Sequence, residues 1–141
     1  RYAYIKGDNE RNYIGILITE LVDLRTSPKI DIKFSNSESG PSGGFMMALA
    51  IYDYLVEEDL TNGLTIVGTG TIDKNCNVGE IGGIEYKLKG AIKKGVDLFF
   101  VPAGQNYEDA LRIKKSRKYD IEIVPVTNID DAINYLRSKK E

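Results

Sequence analysis

Residues 96–137 read VDLFFVPAGQNYEDALRIKKSRKYDIEIVPVTNIDDAINYLR, and this stretch decides the fold class. It opens on residues 96–102, in which Asp97 alone interrupts the apolar residues, and this segment reads as a buried strand. A polar helix over residues 107–119 follows, capped by Asn106, and then a second strand over residues 121–126. Asn128 begins a final helix that runs through Arg137. Asn128 and Asp131 approximate a capping box, and Ile129, Ala132, Ile133 and Leu136 recur at helical spacing on a face turned to the core. Strand and helix therefore alternate through the last third of the chain.

Working backwards, Gly95 closes a helix over residues 84–94 in which Ile84, Leu88, Ala91 and Ile92 make one apolar stripe. Before it, residues 64–72 (LTIVGTGTI) read as strand, with glycines that mark a bend or a close backbone approach. Residues 73–77 then read as a turn and residues 77–81 as a returning strand. Residues 45–56 form a nearly apolar central helix, with Met47, Ala48, Ile51, Tyr52 and Leu55 at helical steps. A loop of small residues, 35–44 (SNSESGPSGG), leads into it. Residues 12–24 and 29–35 read as strands, the second half-buried by its alternation of Ile30, Ile32 and Phe34. Consecutive strands early and alternating elements late predict a mixed α/β architecture whose sheet is not purely parallel. No internal repeat or linker interrupts the chain, so one domain is expected over residues 1–141.

Composition narrows the function classes. The 141 residues carry 19 basic and 21 acidic side chains, a formal charge of -2, which supplies no global positive field for nucleic acid or anionic lipid. No run reaches the roughly 20 apolar residues of a membrane span, and residues 1–6 are unlike a signal peptide. The chain starts at Arg1 rather than Met and is expected to be the C-terminal part of a longer protein. One cysteine, Cys76, makes no internal disulfide and reads as incidental. There is no histidine, so no Cys/His metal site and no Ser-His-Asp or Cys-His unit can be built, and neither metal nor cofactor is expected. Proton transfer in an enzyme of this composition falls to Lys, Tyr, Asp or Glu.

Three residues then invite attention. Ser42, within Gly40-Pro41-Ser42-Gly43-Gly44, stands between small residues at the start of a buried helix, where unpaired N–H groups and the helix dipole suit a developing oxyanion. An ordinary helix cap or an anion cradle accounts for the same residues, though the Gly-Lys-Ser/Thr ending of a P-loop is missing. Lys87 falls on the margin of the apolar stripe of its helix and is the lysine there best placed to turn inward. Partial burial disfavours the ammonium, and a neutral amine can take a proton from a hydroxyl. A lysine whose stem covers the helix edge fits as well. Thr69, on a strand loosened by Gly68 and Gly70, places a hydroxyl where it can hold a lysine amine. Glu80 and Glu85 flank the Gly82-Gly83 turn and either pair with the lysine or lie solvated on the surface.

Together, Gly40-Pro41-Ser42-Gly43-Gly44 before a helix, Gly68-Thr69-Gly70-Thr71-Ile72, and Val78-Gly79-Glu80-Ile81-Gly82-Gly83-Ile84-Glu85-Tyr86-Lys87 resemble, in order and spacing, the proteolytic domain of the Lon protease family (peptidase family S16). Similarity runs from about residue 30 to residue 136. The resemblance implies an α+β fold of the Lon catalytic-domain type, like the second domain of ribosomal protein S5, a mixed sheet packed with helices. It implies a serine endopeptidase acting on protein or peptide substrates, with Ser42 as nucleophile, Lys87 as general base, Thr69 beside the lysine and Gly43 supporting the oxyanion. Two departures stand out: Ser39 where ATP-dependent members carry an acidic residue, and Gly43 where alanine is usual. The Gly68–Ile72 motif, with Ile51-Tyr52-Asp53-Tyr54-Leu55 and Asp59-Leu60-Thr61-Asn62-Gly63, is more similar to the membrane-anchored PDZ-Lon proteins of Gram-positive bacteria. That implies an extracellular protease domain without its own ATPase, and the family implies a homo-oligomer, often a hexamer. The alternatives are the cytoplasmic protease part of an ATP-dependent Lon, and a catalytically silent Lon-like module that binds peptides or assembles.

Overall fold

The computed structural model describes residues 5–8, 11–14, 27–30 and 40–140. The chain divides into two compact units, Arg1–Asn36 and Ser37–Glu141. In the first, β1 (Ile5–Asp8) and β2 (Arg11–Ile14) pair antiparallel. Most of the strand expected over residues 12–24, and residues 31–35 of the next, lie outside the described residues, while Lys29 and Ile30 are not in a strand.

The second unit is built on a parallel sheet. Its strands are β3 (Ile66–Gly68), β6 (Leu98–Pro102) and β7 (Glu122–Val126), in the order β3-β6-β7. A short antiparallel pair, β4 (Thr71–Ile72) with β5 (Val78–Gly79), stands beside it, so the architecture is mixed α/β with parallel and antiparallel pairings. The helices are α1 (Gly44–Leu55), α2 (Ile84–Lys93), α3 (Gln105–Arg117) and α4 (Ile129–Ser138).

All five residues of β6 are buried, which explains their unbroken apolar run: a central parallel strand covered on both faces has no polar side to show. Its side chains alternate between two cores. Leu98 and Phe100 join Phe45 and Leu49 of α1 and Ala132, Ile133 and Leu136 of α4, with Phe45 and Phe100 edge to face at 6.1 Å. Phe99 and Val101 join Ile84, Leu88 and Ala91 of α2 and Ala110 of α3. Helices α1 and α4 thus cover one face of the sheet, and α2 and α3 the other.

The α4 terminus forms as its sequence dictates, with Asn128 and Asp131 in a capping box. Two expectations are corrected. The strand over residues 64–72 breaks into β3 and β4 at Thr69 and Gly70. The α3 helix starts two residues early, at Gln105 after Gly104, so Asn106 is not its cap.

Candidate active site

Helix α1 is preceded by a single 3-10 turn, Pro41–Gly43, and Ser42 is its middle residue. Neither this turn nor α1 is capped by a side chain, so the Ser42 hydroxyl is not occupied as a helix cap. Its backbone is fixed instead. The Ser42 carbonyl accepts the Gly70 N–H at 2.9 Å and the Thr69 hydroxyl at 3.0 Å, while the Phe45 N–H returns to the Gly70 carbonyl at 3.1 Å. Gly70 has to be glycine for this: a Cβ there would lie 2.5 Å from Val78 Cγ1 and 3.3 Å from Phe45 Cβ. The break between β3 and β4 is therefore where the chain leaves the sheet to hold the Ser42 turn.

Thr69 is 1% exposed and its own N–H donates to the Phe100 carbonyl of β6 at 3.0 Å. Its hydroxyl proton is committed to the Ser42 carbonyl rather than shared with Lys87. Toward an amine, Thr69 Oγ1 has only acceptor lone pairs to offer.

Lys87 arrives from the opposite face of the sheet. Gly83 stands before α2 with φ 72°, a left-handed conformation that glycine adopts without strain, and its carbonyl accepts the N–H groups of Tyr86 and Lys87. The half-buried Lys87 side chain then reaches the end of β3, where Nζ donates to Ser42 Oγ at 3.1 Å. The contact lies outside the carboxyl end of a parallel strand, the usual place for a site in such sheets. A 3.1 Å separation serves equally for an ammonium donating to the hydroxyl and for the hydroxyl donating to a neutral amine.

Glu80 and Glu85 do not serve the lysine. Glu80 Oε1 accepts the Gln105 N–H at 3.1 Å, and Glu85 pairs with Arg117 at 2.8 Å. Gly43 is exposed, and a Cβ built on it meets nothing within 4 Å, so the missing alanine methyl leaves no packing defect. Ser39 lies outside the described residues. Cys76 is exposed in the turn before β5. The residue that sequence reasoning misread is Asn106: it is 7% exposed, its Oδ1 accepts the Ile81 N–H at 2.8 Å, and its Nδ2 donates to the Ile81 carbonyl at 3.0 Å. Only the presence of asparagine near a helix start signalled it, and that signal fits a cap equally. Among the described residues no helix is long and apolar enough to cross a membrane.

The model of the Lon protease (S16) C-terminal proteolytic domain matches residues 32–138. The chain is similar to the Lon protease of Campylobacter concisus, 34% identical over 104 residues, covering 73% of this chain and 13% of that protein. It is 30% identical over 103 residues to the Lon protease of Rickettsia bellii, covering 73% and 13%, and 29% identical over 101 residues to that of Neorickettsia sennetsu, covering 72% and 12%. The chain thus spans only 12–13% of the length of these relatives.

Proposed function

Because the chain belongs to the Lon protease (S16) C-terminal proteolytic domain family, we propose that it is a serine endopeptidase working through a Ser42–Lys87 dyad on protein or peptide substrates. The observation that carries the reading is the 3.1 Å hydrogen bond between Lys87 Nζ and Ser42 Oγ, made by side chains from opposite faces of the sheet. In a chain without histidine, a lysine amine is the base available at that distance.

The reaction balances with these groups and water. Neutral Lys87 takes the proton of Ser42 Oγ as the oxygen bonds to the substrate carbonyl carbon. By the family resemblance, the helix-start amides around Ser42 and Gly43 are assigned to the oxyanion. Collapse breaks the C–N bond, and the leaving amine takes the proton from the Lys87 ammonium. Water, deprotonated by Lys87, then attacks the acyl carbon, the C–O bond to Ser42 breaks, and Oγ takes the proton back from Lys87. The sequence uses neither nucleotide nor metal.

The finer assignment is to the membrane-anchored PDZ-Lon class, with an extracellular protease domain, no ATPase of its own and assembly into a homo-oligomer. It rests on the motifs at residues 51–55, 59–63 and 68–72. A second reading, the protease part of a longer ATP-dependent Lon, is favoured by the length of the relatives, and the coding sequence upstream of Arg1 decides between them. The dyad itself is tested with a serine-directed covalent inhibitor. Stoichiometric labelling at Ser42, with peptide hydrolysis abolished in a folded Ser42→Ala protein, is expected. An unlabelled serine, or wild-type cleavage by Ser42→Ala, identifies a silent binding module instead.

A further inference from the structure

Lys87 reaches Ser42 only if the first turn of α2 is held in register with the Ser42 turn. No side chain caps α2, and its opening N–H groups hang from the Gly83 carbonyl, so the placement of the lysine is inherited from the strand of chain just before it. Gly82 and Gly83 are exposed and meet little, and neither can anchor that strand by packing. The anchor is two residues upstream. Ile81 has both backbone groups engaged by one side chain, the amide of Asn106, at 2.8 and 3.0 Å. This is the pairing a neighbouring strand would make, supplied by an amide that offers a donor and an acceptor side by side. The Asn106 side chain is buried and the pairing half-buried, so its loss leaves two Ile81 backbone groups without their partner where access to water is restricted.

Asn106 is itself rigidly placed. It lies in the first turn of α3, whose opening N–H at Gln105 is held in return by Glu80 of the same upstream segment. The α3 helix follows directly on β6, the strand whose Phe100 carbonyl holds Thr69, which in turn holds Ser42. Strand β6 and its continuation thus grip both halves of the dyad: the serine through Phe100, Thr69 and the Ser42 carbonyl, the lysine through Asn106, Ile81 and the start of α2. We propose that Asn106 is a positioning residue for the protease reaction, fixing the register of the base against the nucleophile by clamping the backbone of Ile81. This rests on the Ser42–Lys87 reading above.

The test compares Asn106→Leu, which keeps the branching of the side chain and removes both hydrogen bonds, with Asn106→Asp, which keeps the acceptor for the Ile81 N–H. Each is measured in the intact protein for kcat, KM and the folded fraction by circular dichroism, alongside Ser42→Ala and Lys87→Ala. The expected result is a fall in kcat per folded molecule of about 10- to 100-fold in Asn106→Leu, the scale of a misplacement of order 1 Å, with KM within about twofold and Asn106→Asp partly restoring the rate. Peptide affinity measured in the Ser42→Ala background is expected to be the same with Asn106 or leucine. Wild-type kcat per folded molecule in Asn106→Leu overturns the proposal, as does a loss confined to KM or one accounted for by unfolded protein. If Asn106→Leu falls too far in stability to assay, Asn106→Asp decides alone: a wild-type kcat overturns the proposal and a reduced kcat at unchanged KM supports it. Activity retained by Ser42→Ala or Lys87→Ala signals the different failure, that of the dyad itself.

Discussion

The two sides of the candidate dyad are fastened in different ways. On the serine side, the residue's own carbonyl is held by the Gly70 N–H and the hydroxyl of a wholly buried threonine, so the nucleophile's backbone is pinned one residue's length from its reacting atom. On the lysine side the residue's own N–H is held within its helix turn, by the Gly83 carbonyl. Its helix start is set by Gly83 and, before that, by the Asn106 amide on Ile81, and a long side chain spans the remaining distance. The difference suits the chemistry: a short hydroxyl side chain has little reach and needs an exact backbone, whereas a flexible amine needs only a fixed base from which to swing.

The largest effect expected from breaking that comparison is at Lys87. Lys87→Ala should lower kcat/KM for a protein or peptide substrate by at least about 10³-fold, and Lys87→Arg should be no better, because a guanidinium stays protonated and cannot accept the serine proton. An arginine variant with near-native turnover would remove the lysine from the mechanism. Thr69→Val comes next. It keeps the volume but leaves the Ser42 carbonyl with the Gly70 N–H alone, and should lower kcat about 10-fold and stability by roughly 1–2 kcal/mol, with Thr69→Ser recovering most of both. Equal losses in the valine and serine variants would show that the methyl packing, and not the hydroxyl, holds the turn.

The smallest effect is expected away from both sides, at the cap of α4, and it separates stability from register. Asp131 accepts from the Thr127 hydroxyl and from the N–H groups of Thr127 and Asn128, and the hydroxyl bond first of all, then the backbone bonds, hold its carboxyl below the ordinary 3.8. A carboxyl whose value is lowered by folding contributes stability that is complete above its ordinary value and is lost as pH falls through the folded one. Asp131→Ala should therefore lower Tm by roughly 2–4 °C at pH 6, with the gap to the wild type closing as pH is taken to about 3, while kcat per folded molecule at neutral pH is unchanged. A fall in kcat at neutral pH without unfolding would place α4 in communication with the dyad.

Much of the fold was legible because hydrophobic period and cap chemistry are local. The five-residue run of β6, the stripe of α2 closed by Gly95 and the Asn128 and Asp131 box each follow from neighbours in sequence, and each forms where its pattern puts it. Misreadings arose where a local and a tertiary partner compete for one polar group. Asn106 has the chemistry of a helix cap, but the Ile81 backbone offered it both a donor and an acceptor in a half-buried place, and Gly104 took the cap position. Glu80 and Glu85 flank the lysine in sequence, yet an α3 N–H and Arg117 claim them. The strand over residues 64–72 is broken by a partner 27 residues upstream, the Ser42 turn that Thr69 holds.

The sequence by itself determined the alternation of elements, the exclusion of histidine chemistry and the nomination of a serine and a lysine from three short motifs. Only the tertiary structure decided that side chains 45 residues apart come within 3.1 Å, because they sit on opposite faces of one sheet and converge at the end of a single strand. That convergence depends on long-range backbone contacts, Ser42 to Thr69 and Gly70, Thr69 to Phe100, and Ile81 to Asn106, which leave no periodic trace in sequence because a hydrogen bond to a backbone group is indifferent to which side chain that residue carries.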